Sequence, residues 1–285
     1  MTSKSAAFGV CLLSLLSISS RWLAAAPTNE FIFIGNSVSY GTDATNVSSP
    51  NVLTSNTNAE GVALKDLGAG WLAMDLAVPG STTSQMIASW NSNNEQSYFV
   101  AGVTNKIVIP WEASNALSDY SKADPNGTNT AAQIEANAQT IYNETLAFAQ
   151  QLQAQGDTVL ALTILPRDEP GLNANEAAEQ EEARQDFNNL VRAGWQSWAS
   201  ALVDVGADPT IGQYSDLTNG TYWYDPGSGS DQRLHLTDAG YAIVGNDVAA
   251  AIQKLDAVPE PSVYGLFLLG GGVLAGWRRL RRTTV

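Results

Sequence analysis

Cysteine and histidine are almost missing from this 285-residue sequence. There is one of each, Cys11 and His235. A lone cysteine cannot form a disulfide within the chain, and one histidine is too few for a multi-histidine metal centre. A calcium site built from oxygen ligands stays open, although residues 124–129 lack the full calcium-loop pattern and are typical of a turn. We therefore expect no bound metal.

Positive charge is also scarce. The chain has 14 Lys and Arg against 28 Asp and Glu, which gives a formal net charge of −14 at pH 7. Several of the basic residues lie at the two ends, so the middle of the chain is more acidic than the whole. A surface of this sign repels nucleic acid and anionic membranes and disfavours a polyanionic substrate. We expect no nucleic-acid partner.

The first 26 residues have the pattern of a secretory signal peptide. Lys4 precedes a mostly apolar run at residues 6–18, and the alanines at 24–26 offer a small-residue cleavage site before Pro27. We expect signal peptidase to remove residues 1–26 and the chain to be exported.

The other end of the chain has an equally ordered pattern. Pro259-Glu260-Pro261 is followed by an uncharged stretch at 262–277 and an arginine cluster at 278–282. As a helix, the stretch would measure roughly 24 Å against about 30 Å of membrane hydrocarbon, so it spans a membrane only marginally. The order resembles a PEP-CTERM sorting tail, here residues 259–285, which an exosortase recognises and cuts.

That resemblance implies contact with the membrane only through the C-terminal helix, as a transient transmembrane anchor. It also implies a final location in the cell envelope or extracellular matrix. A plain C-terminal membrane anchor is the alternative.

Residues 27–258 are long enough for one domain, and no repeat or long linker divides them. Short strand-like apolar runs alternate with longer helical ones, which predicts a parallel sheet covered by helices. We expect an α/β fold, a three-layer α/β/α sandwich with a flavodoxin-like five-stranded parallel sheet. The predicted strands are 30–34, 71–77, 106–110, 158–165 and 209–213, and the predicted helices are 82–90, 131–155, 174–203 and 237–255.

Polar residues follow three of the predicted strands. Ser37 comes after the first strand, Gly80 after the second and Asn115 after the third. The carboxyl ends of parallel strands meet at one edge of a sheet, where ligands bind in folds of this class. If the serine does chemistry, His235 is the only imidazole that can act as its base.

Serine, glycine, asparagine and histidine in this order resemble the four marker residues of the SGNH, or GDSL-like, hydrolases. The segment 236–244 after the histidine is the most family-like stretch. The resemblance implies that Ser37 is the nucleophile and His235 the general base. It also implies an oxyanion hole formed by the Ser37 and Gly80 N–H groups and the Asn115 amide, with no cofactor.

The sequence departs from the family pattern at three places. Asn36 stands where the first motif usually has aspartate, and the third motif keeps Asn115 but lacks its usual glycine and aspartate. The family's acid lies three residues before the histidine, where this chain has Gln232. We expect Asp231, one residue earlier, to orient the imidazole, with Asp225 or a backbone carbonyl as alternatives.

The function predicted on this basis is a secreted serine esterase that works through an acyl-enzyme, with a small-molecule or polysaccharide ester as its substrate. O-acetyl groups on carbohydrate are the first choice, and a lipase or lysophospholipase with a long acyl groove is the nearest alternative. A catalytically inactive surface protein that binds glycan is the non-enzymatic alternative. The polar segments 39–58 and 218–230 are expected to shape the mouth of the pocket.

Overall fold

A computed structural model of the chain describes residues 27–225 and 233–256. Its sheet has five parallel strands in the order β2-β1-β3-β4-β5, so the expected three-layer, flavodoxin-like architecture is confirmed. The strands are β1 (Asn29–Gly35), β2 (Trp71–Asp75), β3 (Asn105–Trp111), β4 (Thr158–Leu162) and β5 (Ala201–Val203).

Helices cover both faces of this sheet. Helix α2 packs on α7, while α5 packs on α3 and on α6. The helices are α1 (Ser37–Tyr40), α2 (Ala59–Leu67), α3 (Thr83–Ser92), α4 (Ser114–Lys122), α5 (Ala131–Ala154), α6 (Ala174–Gly194) and α7 (Asp238–Asp256). Short 3₁₀ helices lie at Glu95–Tyr98, Trp195–Ser197, Val205–Ala207 and Tyr214–Thr218.

The predicted signal peptide and sorting tail lie outside the described residues. Within the described part of the chain, no helix is both long and apolar enough to cross a membrane.

Strand β1, which lies between β2 and β3, shows why the sheet is covered on both sides. Its residues Phe31, Ile32 and Phe33 are fully buried, and Ile34 is 1% exposed. Side chains alternate between the two faces of a strand, so four consecutive buried residues require helices on both faces.

The long helices begin and end at local sequence signals. At the start of α5, Thr130 and Gln133 form a capping box, and Asn173 and Glu176 form another at the start of α6. Gly156, with φ of 92°, lies just beyond the end of α5.

The fifth strand was predicted in the wrong place. Residues 209–213 form no strand, because the Asp208 side chain accepts hydrogen bonds from the N–H groups of Thr210 and Ile211 at 2.7 and 3.1 Å and closes a turn. The strand is Ala201–Val203, inside the range assigned to a helix at 174–203. That helix ends at Gly194. Helices α1, α2 and α4 were not predicted.

The carboxyl end of β1 lies very close to β3. Gly35 pairs with Trp111, and the Ser39 hydroxyl donates to the Trp111 carbonyl at 2.5 Å. A Cβ at position 35 would lie 2.2 Å from Ser39 Oγ and 2.3 Å from the Trp111 oxygen. Only glycine fits here, and the residue that follows β1 is thereby held against the end of β3.

Candidate active site

Ser37 lies at the point where β1 turns into helix α1. The side chain of Asn36 accepts a hydrogen bond from the N–H of Val38 at 2.9 Å and caps this short helix. As the first helical residue, Ser37 has an N–H group without an acceptor inside the helix. Both its hydroxyl and its N–H are thus placed at the carboxyl edge of the sheet.

The single histidine lies directly beside this serine. His235 Nε2 is 2.9 Å from Ser37 Oγ, although the two residues are 198 positions apart. The backbone carbonyl of His235 accepts from the Tyr224 N–H at 3.0 Å, and the neighbouring Leu236 forms an antiparallel bridge with Trp223. The structure therefore brings together two residues that the sequence analysis singled out.

The carboxylate beside the other imidazole nitrogen belongs to Asp43. Its Oδ2 lies 2.7 Å from His235 Nδ1. A carboxylate only accepts hydrogen bonds, so Nδ1 carries the proton and Nε2 of the neutral ring is free to accept from Ser37.

Asp43 was not among the acids considered from the sequence. Asp231, the residue favoured from the sequence, lies outside the described residues. Asp225 accepts from Arg233 Nη2 at 3.3 Å, and Asp43 takes the Nδ1 position that was left open to Asp225 or a backbone carbonyl. Spacing from the histidine could not reveal an acid 192 residues away.

Helix α7 fixes the loop that carries Asp43 on both sides of this residue. Tyr241 donates its hydroxyl proton to the Thr42 carbonyl at 2.8 Å, and the Thr45 N–H donates to Asp238 Oδ1 at 2.7 Å. Asp43 itself has φ of 70°, in the left-handed region that aspartate adopts more readily than most residues. The position of Asp43 therefore depends on contacts with residues that come after His235 in the sequence.

Burial lowers the pKa of His235 below its usual 6.5. The hydrogen bond and the charge of Asp43 act in the opposite direction, and the charge of Arg167 lowers the pKa further. The imidazole is therefore neutral at pH 7, which is the state that can accept a proton from a serine.

Gly80 and Asn115 lie on the two loops that flank Ser37. The turn that contains Gly80 is joined to β1 by a hydrogen bond from the Val78 N–H to the Gly35 carbonyl at 3.0 Å. Gly80 has φ of 85°. The Asn115 amide donates to the carbonyl of Ser81, the residue after this glycine, at 2.9 Å. The loops after β1, β2 and β3 are thus joined at one edge, as their positions in the sequence predicted.

A buried carboxyl that the sequence analysis did not single out connects these loops. Glu112 is 2% exposed and accepts from the Asn115 N–H at 2.9 Å and from the Thr83 hydroxyl. Asn36 Nδ2 lies 3.5 Å from the same side chain. Burial raises the pKa of Glu112 to about 7.

Glu112 also explains the asparagine that precedes Ser37. The amide of Asn36 donates to Ser114 Oγ at 2.8 Å and faces Glu112. An aspartate at position 36 has no proton to donate when ionised and would place a second carboxylate against Glu112. Asparagine keeps the helix cap and avoids that repulsion.

Known structures share this fold. A member of the lipolytic G-D-S-L family from Veillonella parvula DSM 2008 has a TM-score of 0.51 at 10% identity, over 79% of this chain and 98% of that chain. Phospholipase A1 from Streptomyces albidoflavus NA297 has a TM-score of 0.51 at 13% identity, over 79% and 99%. The fold is that of the SGNH, or GDSL, hydrolases.

Comparison by sequence adds information about the C-terminus. Residues 257–282 match the family model of the PEP-CTERM protein-sorting motif. No curated protein matches the sequence of this chain.

A narrow pocket opens beside Ser37 in this SGNH fold. It encloses about 370 Å³ of empty space, including its open mouth, and its wall is mainly apolar. Residues of its wall include Ser37, Val38, Trp111, Ile164, Leu165 and Arg167. Among the described residues, no three His, Cys, Asp or Glu side chains are grouped so as to hold a metal ion.

Proposed function

We propose that this chain is a serine ester hydrolase that acts through an acyl-enzyme. The observation that carries the proposal is the continuous contact between three side chains. Ser37 Oγ lies 2.9 Å from His235 Nε2, and His235 Nδ1 lies 2.7 Å from Asp43. These distances match a nucleophile, a general base and the group that orients the base.

In the first half of the reaction, His235 takes the hydroxyl proton while Ser37 Oγ attacks the carbonyl carbon of the ester. The resulting tetrahedral intermediate collapses when the ester C–O bond breaks, and His235 returns the proton to the departing alcohol. In the second half, His235 takes a proton from water. The hydroxide oxygen attacks the acyl-enzyme, and the released Ser37 oxygen regains that proton as the acid leaves.

The oxyanion of each intermediate needs donors that are already in place. In this proposal the donors are the Ser37 N–H, the Gly80 N–H and one N–H of the Asn115 side chain. Loss of a single donor of this kind typically costs about 100-fold to 1000-fold in turnover. The links from Gly35 to Val78 and from Ser81 to Asn115 support this role, because they hold the three loops together.

A short acyl group, acetyl in the first place, suits the narrow pocket beside Ser37. A long fatty acyl chain requires an extended groove. The pocket here is small, because its volume of about 370 Å³ already includes the open space at its mouth. We propose O-acetyl groups on carbohydrate as the substrate. A lipase-type preference for long chains is an outcome that the experiment below distinguishes.

The sorting motif supports an extracellular place for this reaction. In the proposal, signal peptidase removes residues 1–26, residues 27–258 form the hydrolase domain, and an exosortase cuts within the tail at 259–285. The membrane then holds the protein only transiently, before its release to the cell envelope or extracellular matrix.

Ester hydrolysis by the purified full-length protein tests the proposal. We expect p-nitrophenyl acetate to be cleaved faster than the octanoate and palmitate esters, and acetylated xylo-oligosaccharides to release acetate. Ser37→Ala and His235→Ala should abolish this activity, whereas Ser197→Ala, a change in a remote 3₁₀ helix, should not. A folded wild-type protein with no more activity than Ser37→Ala would instead support the glycan-binding alternative.

A further inference from the structure

The side-chain amide of Asn115 is held from both ends. Its Oδ1 accepts from Arg167 Nη1 at 2.7 Å, and its Nδ2 donates to the Ser81 carbonyl at 2.9 Å. Arg167 lies beyond β4, 52 residues from Asn115 in the sequence. No motif in the sequence singles out Arg167.

The chemistry of the two partners fixes which way the amide points. A guanidinium group only donates hydrogen bonds, so the atom of Asn115 that faces Arg167 has to be the oxygen. A carbonyl only accepts, so the atom that faces Ser81 has to be the nitrogen. A flipped amide would lose both bonds, and the present orientation leaves one N–H of Nδ2 for another acceptor.

Arg167 is itself anchored. Its Nη2 forms an ion pair with Glu169, whose other carboxylate oxygen lies 2.7 Å from Lys122 Nζ. The Arg167 side chain is 13% exposed and the Glu169 side chain 7%. An arginine held this way presents a rigid planar donor, which a flexible lysine cannot reproduce.

We propose that Arg167 is the positioning residue for the oxyanion hole: it locks the Asn115 amide so that the remaining Nδ2–H meets the developing oxyanion. The inference rests on the proposed hydrolase function and adds a residue to its machinery. Arg167 acts through Asn115, and its side chain also forms part of the pocket wall beside Ser37.

A double-mutant cycle tests this role. Arg167→Met and Asn115→Ala are made singly and together, and kcat and KM are measured on p-nitrophenyl acetate. We expect each single change to lower kcat by about 100-fold, with little change in KM, because the lost contact is made in the transition state. The double variant should be no slower than Asn115→Ala alone. Multiplied losses would overturn the inference and indicate that Arg167 contacts the substrate itself.

Two further variants separate positioning from folding. Arg167→Lys keeps a donor but loses the fork, so it should recover part of the kcat lost in Arg167→Met. Arg192→Met removes another ion-paired arginine, the partner of Asp204, and should leave kcat unchanged. If Arg167→Met does not fold, Arg167→Lys takes its place in the cycle.

A spectroscopic readout keeps the inference testable even if no ester is cleaved. The Asn115 side-chain amide signal in a ¹H–¹⁵N spectrum is identified by its loss in Asn115→Ala. We expect it to shift and to exchange faster with water in Arg167→Met but not in Arg192→Met. An unchanged signal overturns the inference. A shifted signal in a protein whose wild type is no more active than Ser37→Ala overturns the proposed function, while the contact from Arg167 to Asn115 stands.

Discussion

Two segments meet at the imidazole, and they contribute unequally. The nucleophile loop, residues 36–45, supplies both Ser37 and Asp43, whereas the histidine segment, residues 233–237, supplies His235. In sequence the two partners of the imidazole are close neighbours of one another and remote from the base. The acid of this site is therefore determined by the path of the chain after β1.

The largest expected effect is at Asp43. Asp43→Asn should lower kcat/KM by about 100-fold to 10,000-fold, because the amide no longer fixes the tautomer and stabilises the imidazolium less well. Asp231→Asn, made in parallel, should have little effect on the same p-nitrophenyl acetate assay. A large loss of kcat/KM in Asp231→Asn and a small one in Asp43→Asn would contradict this assignment and show that the acid lies just before the histidine segment.

The pH dependence comes next in size. Because burial lowers the pKa of His235, kcat/KM should rise with pH to a plateau through a midpoint below 6.5. Below that midpoint the rate should fall about tenfold per pH unit, since only the neutral ring accepts a proton. NMR titration of the only histidine should give the same midpoint. Asp43→Asn should move the midpoint lower still, and an upward shift would contradict the assigned contact.

A smaller effect is expected where α7 holds the nucleophile loop. Tyr241→Phe removes the hydrogen bond to the Thr42 carbonyl while it preserves the buried ring. A net hydrogen bond is worth about 0.5–1.5 kcal/mol, so kcat should fall about twofold to tenfold. Tyr142→Phe removes another buried hydroxyl, the acceptor of Trp198 Nε1, and should change thermal stability without changing kcat. If both changes lowered kcat equally, the hydrogen bond from Tyr241 to the loop would have no specific effect on the reaction.

The smallest effect on kcat is expected at two buried carboxyls, Glu60 and Asp75. Burial and the nearby Asp75 raise the pKa of Glu60 well above 4.5, and burial raises the pKa of Asp75 to about 7. Above pH 4.5 the folded state therefore keeps protons that the unfolded chain has lost. The free energy of unfolding should fall as pH rises from about 4.5 towards 7.

Urea unfolding at several pH values measures this dependence. In Glu60→Gln the fall with pH should be reduced by up to about 1.4 kcal/mol per pH unit, the contribution of one proton, with kcat unchanged. The exposed Glu135→Gln is the matched control and should keep the wild-type slope. An unchanged slope in Glu60→Gln would show that Glu60 is ionised in the folded protein.

Much of the fold follows from local patterns in the sequence. The first four strands are short apolar runs, and their neighbours α3, α5 and α7 have clear periodicity, so these elements were predicted close to their observed bounds. β5 has only three residues, Ala201–Val203, and is separated from the long helix α6 by little more than a 3₁₀ turn, so the helical pattern was extended over it. Its place is determined by pairing with β4, which no local pattern contains.

The candidate site also combines residues that local patterns predicted with residues that depend on distant contacts. Ser37, Gly80 and Asn115 were predicted because each follows a strand, and parallel strands bring their carboxyl ends together. Asp43 lies in an irregular turn with a positive φ, and its place depends on contacts with α7. Arg167 stands out only in the folded structure, through its hydrogen bond to Asn115, which is 52 residues away in the sequence.

The separation of the base from its two partners also sets the order in which the site is completed as the chain is made. A chain that has emerged only as far as β5 holds a serine and a carboxylate but no imidazole. His235 comes 192 residues after Asp43, and α7, which fixes the Asp43 loop, follows it. Until α7 docks on α2, the loop that carries Asp43 lacks the contacts that hold it beside His235. In the proposed mechanism, ester cleavage therefore begins only after α7 has been delivered and packed.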